Sequence, residues 1–182
     1  MAIIRVSGHL GAGKTTICDR LAEALGYKNH YTGAVFRELA KVKGLSLEEF
    51  YKQMVDNPEL EKEIDARQEQ LMLTEDNLIV QGRVAPFLAY NPNFKKINIF
   101  FKVSPEEGAR RQLNRPENKD RTIEEMARLS EERSGEERKR YWLLYGIYDY
   151  LDESCFDIIV DTTNLNPEEV FEYLLAEIKK RH

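Results

Sequence analysis

The sequence predicts an α/β fold in three layers, a five-stranded parallel sheet with helices on both faces. Two observations predict it. Short apolar runs alternate with helical patterns from one end of the chain to the other, and strands followed by helices at this spacing require parallel pairing with right-handed crossovers. A glycine-rich segment, Gly8-His9-Leu10-Gly11-Ala12-Gly13-Lys14-Thr15, stands between the first strand and the first helix and fits G-x-x-x-x-G-K-[ST] at every fixed position. No repeat or low-complexity linker divides the 182 residues, a length that suits one domain with a full core.

Ile3–Ser7 reads as the first strand. Arg5 is the awkward member, because buried parallel strands are normally apolar throughout. Thr15–Leu25 reads as a helix with Ile17, Leu21, Ala22 and Leu25 on one face. A short extended piece follows at Lys28–Tyr31, then helical stretches at Gly33–Lys43, Leu47–Val55 and Pro58–Leu73. Asn77–Gln81 and Ile97–Val103 are the next strands. Ser104-Pro105-Glu106-Glu107 supplies an N-cap, a proline at the first position and an acidic first turn for a helix to about Leu113. Phe156–Val160 is the last strand, and Asn166-Pro167-Glu168-Glu169 opens a terminal helix to about Lys179.

Ser130 to Arg140 breaks the pattern, with no apolar residue among good helix formers. Burial cannot hold a helix that is polar all round. Beside a phosphate loop, an arginine-rich segment with little core attachment is what a closing lid would look like. The region from Ser104 to Tyr145 carries ten Lys/Arg and ten Asp/Glu, a balance unlike a nucleic-acid patch.

Bulk composition narrows the partners. The net charge of −5 argues against nucleic acid or an anionic membrane. No apolar run approaches the roughly 20 residues of a membrane span, and the first strand begins too early for a signal peptide. Cys18 and Cys155 build no disulfide framework, and His9, His30 and His182 lack ligand-like spacing. The expectation is a soluble cytoplasmic monomer acting on small molecules.

The loop carries the chemistry. Glycines turn the backbone so that successive N–H groups face one anion, and the following helix adds its positive end. Lys14 then reaches terminal phosphates, while the Thr15 hydroxyl ligates Mg²⁺. Guanine-nucleotide switches need N-K-x-D and D-x-x-G, and neither is present. A transporter-type segment is absent as well, which leaves small-molecule kinases as the leading class. Such a kinase needs cations for its acceptor at the carboxyl ends of the strands. Thr32 to Arg37 and Gln81-Gly82-Arg83 supply candidates there. Arg133, Glu137 and Arg140 share one helix face, two guanidinium forks around one carboxylate.

These residues carry a resemblance. The segments TGAVFRELAKVKGLSLEEF, IDARQ, the strand ending in Gly82-Arg83, and SEERSGEERKRYWLLYGI resemble the cytidylate kinases of the short, archaeal type over essentially the whole chain. The resemblance implies a P-loop kinase domain spanning 1–182, with an acceptor-binding helical region at about 32–75 and an arginine-rich helical lid at about 110–145. It implies transfer of the ATP γ-phosphoryl group to CMP or dCMP, with Mg²⁺. Gly8 to Thr15, with Thr16, would bind ATP. Arg37 and Arg83 would bind the acceptor phosphate, with Gly82 beside them. Arg133 and Arg140 would contact the acceptor or transferring phosphates, and Thr32 and Glu137 the pyrimidine or ribose. Arg110, Arg111 and Arg115 stand where the family places lid arginines, and Lys14, Arg110, Arg133 and Arg140 would be catalytic. Asp161-Thr162-Thr163-Asn164 would border the donor adenine. Three departures stand out: His9-Leu10 in place of proline and a small residue, Gln81 in place of an acid, and no acid in Val84-Ala85-Pro86-Phe87. Two alternatives remain: a kinase for another small acceptor (AMP, UMP or a non-nucleotide acid), or a degenerate nucleotide-binding interaction protein.

Overall fold

The computed structural model describes residues 2–181, apart from the side chains at 47, 48, 55 and 56. Five parallel strands form one sheet: β1 (Ala2–Gly8), β2 (Lys28–Tyr31), β3 (Leu78–Gln81), β4 (Lys95–Lys102) and β5 (Ile158–Asp161). Their order across the sheet is β2-β3-β1-β4-β5. The chain therefore reverses its winding at β1, between β3 and β4, and a ligand crevice belongs at the carboxyl end of such a switch point. The helices are α1 (Lys14–Leu25), α2 (Thr32–Val42), α3 (Leu47–Asp56), α4 (Pro58–Thr74), α5 (Pro105–Leu113), α6 (Ile123–Tyr145) and α7 (Pro167–Arg181).

Alternation along β1 sorts the core into two layers. Ile4 and Val6 join Ile79, Ile99 and Phe101 under α1 and α7 through Ile17, Leu21, Val170 and Leu174. Ile3 turns the other way, to Leu78, Val80 and Met72 of α4. Cys18 is buried in the first layer. A third cluster ties α2, α3 and α4 together through Phe36, Ala40, Phe50, Met54 and Ile64.

Arg5 shares the Ile3 face, where a polar pocket accommodates it. Its Nε donates to Asn98 Oδ1 at 2.8 Å and its Nη1 to the Leu88 carbonyl at 3.0 Å. The guanidinium also lies 4.6 Å from the Tyr90 ring centre. Partners 83 and 93 residues away satisfy it, so the strand tolerates a charge without losing its place.

The polar stretch of α6 departs from expectation in how it is held. Thr122 caps the helix in a reciprocal box with Glu125. Further along, Glu137 and Arg140 are buried. Arg140 Nε donates to Glu61 Oε2 of α4 at 2.5 Å, and Tyr150 Oη donates to Glu137 Oε2 at 2.7 Å. Buried ion pairs, not apolar contact, fasten Ser130–Arg140, and the expectation of weak core attachment is corrected.

Candidate active site

Glycines place the phosphate loop against its neighbours. Gly8 has φ 136°, and a Cβ there would lie 2.2 Å from the Phe101 carbonyl oxygen of β4. Gly11 has φ 76°, and its Cβ would meet the Gly108 carbonyl of α5 at 2.2 Å. Any side chain at either position would push the loop off the sheet or off α5. Gly13 starts α1 in a left-handed conformation with no side-chain cap. The first N–H groups of α1 thus stay available for an anion.

Lys14 folds over this loop. Its Nζ donates to the Gly8 carbonyl at 2.9 Å and to the His9 carbonyl. Burial holds its pKa well below the ordinary lysine value, and Arg83 lowers it further. An incoming polyphosphate reverses that penalty by supplying opposite charge. The two unusual loop residues diverge. The His9 ring turns to β4, with Nδ1 3.0 Å from the Val103 carbonyl and its edge on Phe100. Leu10 faces the cleft.

A cleft of about 210 Å³ opens in front of the loop. Leu10 to Thr16 line one wall, Thr15 among them. Tyr31, Thr32 and Arg37 enter from the β2–α2 junction, Gln81, Gly82 and Arg83 from the end of β3, Glu61 and Asp65 from α4, and Arg133, Glu137 and Tyr141 from α6. The structure therefore brings together most of the residues expected at the site. Arg37 Nη2 donates to Tyr31 Oη at 3.0 Å and stacks on that ring. Arg133 lies 4.0 Å from the Tyr51 ring centre.

Glu137 is the electrostatic hub. Its carboxylate is 2 % exposed and meets Arg133 Nε at 2.8 Å and Arg83 Nε at 3.1 Å. Burial alone would raise its pKa, but Arg83 and Arg133 outweigh it and bring the carboxyl down to about 2. Two guanidinium groups do surround this carboxylate, but the second is Arg83, just after β3, rather than Arg140. The helical spacing suggested Arg140. It leans instead to Glu61 and does not line the cleft. The buried acid Glu61 on α4 takes Arg140 instead.

Arg110 also stands apart. It is exposed and bound to Glu106 and Glu107 on its own helix, and it lines neither of the two clefts described here. Arg115 lines both. The second cleft, about 320 Å³, lies behind the loop between Ile17, Leu165, Pro167 and Val170. Thr162 borders it and accepts from Arg111 through its carbonyl at 2.7 Å. Apolar walls beside a phosphate loop suit a flat heteroaromatic ring.

The sequence pointed to no role for Asp65, Gln68, Tyr51 or Tyr145. Asp65 accepts from Gln68 Nε2 at 2.6 Å and from Tyr145 Oη at 2.7 Å. Burial pushes its carboxyl up to about 7, with Glu61 adding to the rise. A signal for this face existed: positions 61, 65, 68 and 72 fall on one stripe of α4, and Met72 marks that stripe as inward.

Among the described residues no group of three or more His, Cys, Asp or Glu forms a metal cage. No helix of the described residues is long and apolar enough to cross a membrane.

Comparison with known proteins assigns the family. A family model described as an AAA domain matches residues 4–140. The cytidylate kinase of Pyrococcus furiosus is 39% identical over 177 residues, covering 97% of this chain and 88% of that protein. The cytidylate kinase of Methanopyrus kandleri is 38% identical over 183 residues, covering 97% and 92%. The chain belongs to the cytidylate kinase family. Solved structures agree on the fold alone: shikimate kinase from Bacteroides thetaiotaomicron aligns over 98% of this chain and 97% of that one, with a TM-score of 0.60 and 17% identity. Gln81, at the end of β3, stands in the cleft wall. Its Nε2 donates to Asn29 Oδ1 at 2.8 Å, Asn29 donates on to Asp19 at 2.6 Å, and Gln81 Oε1 is buried without a partner.

Proposed function

We propose that the protein transfers the γ-phosphoryl group of ATP to the 5′-phosphate of CMP or dCMP, giving ADP and the diphosphate. One observation carries the reading: an uncapped P-loop helix faces three arginines, Arg37, Arg83 and Arg133, across a single cleft. Two polyanions must meet there, so the work of the site is charge neutralisation and exclusion of water. The acceptor phosphate is already ionised, and no general base is required.

In this reading the loop N–H groups and Lys14 hold the donor β- and γ-phosphates, and the donor base occupies the cleft beside Thr162 and Leu165. Arg37 and Arg83 hold the acceptor phosphate, while Arg133, set by Glu137 and Tyr51, faces the transferring group. The Thr15 hydroxyl and the unpartnered Gln81 oxygen fit a hydrated Mg²⁺, the first as a ligand and the second as an acceptor for its water. The ion would screen phosphate charge. Segment 110–145 serves as the lid. Because buried pairs pin the second half of α6, closure falls to the part around Arg115. Arg140 supports the site by fixing α4 to α6. The protein acts as a cytoplasmic monomer.

The test is product identity. With γ-labelled ATP, Mg²⁺ and CMP, label must appear in CDP, and Lys14→Ala must abolish it while retaining the native circular dichroism. Label released as inorganic phosphate with no CDP would refute the assignment.

A further inference from the structure

An acceptor phosphate needs more donors than Arg37 and Arg83 supply freely. A phosphate monoester presents three terminal oxygens, each a strong acceptor. Arg83 is largely spent within the protein: its Nε faces Glu137 at 3.1 Å and its Nη1 donates to the Gly8 carbonyl. Arg37 is exposed, and an unrestrained arginine loses much rotamer freedom when it settles on a ligand.

Tyr31, the last residue of β2, meets both needs. It lines the cleft together with Thr32, Gly33, Arg37 and Gly82. Its Oη accepts from Arg37 Nη2 at 3.0 Å, and the guanidinium carbon lies 5.3 Å from the ring centre. One contact thus holds the arginine at the cleft wall and leaves its other N–H groups for a ligand. Among the described residues the Tyr31 hydroxyl accepts this one hydrogen bond and donates none. Accepting from a cation polarises the O–H and makes it a stronger donor.

Gly33 provides the room for this arrangement. A Cβ there would lie 2.6 Å from Tyr31 Cε2, Cζ and Oη, so the ring occupies the space that a side chain at 33 would take. The backbone does not require glycine, because Gly33 is a helical residue of α2 without a positive φ. We infer that Tyr31 belongs to the acceptor-phosphate clamp: its hydroxyl accepts from Arg37 and donates to a phosphate oxygen of the acceptor. Tyr31 and Arg37 both touch the ligand. Gly33 is a positioning residue, through the space it leaves open. The inference rests on the acceptor-site reading given above.

The experiment uses wild type, Tyr31→Phe and Gly33→Ala. It measures KM for CMP and for ATP, and the competitive inhibition constant of cytidine, which carries base and ribose without the phosphate. Thermal melting confirms that each variant is folded. Tyr31→Phe keeps the ring and removes only the hydroxyl. It should raise the CMP KM about tenfold, the worth of a hydrogen bond to a charged group. The ATP KM and the cytidine constant should stay within about twofold of wild type. Gly33→Ala should raise the CMP KM by a similar factor while melting no lower than wild type, because alanine suits a helix better than glycine. Weaker acceptor binding without lost stability is an effect that a mere packing role for Tyr31 would not produce. A CMP KM within about twofold of wild type in folded Tyr31→Phe overturns the inference. So does a cytidine constant that rises in step with the CMP KM, which would move the hydroxyl to the base or ribose. Both results leave the kinase assignment intact. If Tyr31→Phe does not fold, Gly33→Ala decides alone, and an unchanged CMP KM there overturns the inference. Wild-type protein that forms no CDP overturns the functional reading, and the inference with it.

Discussion

Glu137→Gln removes one charge from the centre of the acceptor site, and its cost follows from the geometry. The carboxylate meets Arg133 at 2.8 Å and Arg83 at 3.1 Å while 2 % exposed. A drop from 4.5 to about 2 in its pKa corresponds to about 3 kcal/mol of folding stability at neutral pH. Independently, removing one partner of a buried ion pair costs about 3–5 kcal/mol, and the partial exposure of Arg83 (14%) and Arg133 (28%) places this case at the lower end. The two routes agree. The folded pKa is depressed, so the stabilisation is present above about pH 4.5 and lost as the pH falls toward 2. Urea denaturation of wild type and variant should give a gap of about 3 kcal/mol at pH 7.5, shrinking to about 2 kcal/mol near pH 3.5, with similar m values. A gap that stays constant across that range would show that the carboxylate is not linked to its arginines, and would refute the description of the hub.

Three further outcomes follow from the same site. Arg37→Ala should raise the acceptor KM at least about tenfold and leave that for ATP within about twofold; an effect confined to ATP would place Arg37 on the wrong side of the cleft. Arg115→Ala should lower kcat by about 10²-fold, whereas Arg110→Ala, already paired on its own helix surface, should change it less than about threefold; the reverse order in single-turnover assays would show that α5 rotates into the site on closure. Gly11→Ala should destabilise the fold by more than about 1 kcal/mol in chemical denaturation, because its Cβ meets the Gly108 carbonyl; wild-type stability would mean the loop does not rest on α5.

The elements were legible wherever apolar pattern sets structure. All five strands fall within about two residues of their expected ends, and Ser104 caps α5 as its sequence indicates. What the sequence concealed is held by charges far apart in the chain. Arg5 needs Asn98, and Arg140 needs Glu61. Local spacing carries no information about such partners, and for that reason α6 reads as loosely attached although buried ion pairs anchor it. The phosphate loop needed no tertiary knowledge, because its motif encodes its own backbone. The α4 end of the site did. Asp65 and Gln68 share the inward stripe of α4 with Met72, but nothing local in the sequence names Tyr145 as their partner across the fold.

The most direct test of the account is ADP formation with Mg-ATP against CMP, dCMP, UMP, AMP and no acceptor. Strong stimulation by CMP or dCMP, weak stimulation by UMP and AMP, and a near-zero rate without acceptor is the predicted result. Equal ADP release with and without acceptor would contradict it, because the cleft would then bind ATP without an acceptor site opposite.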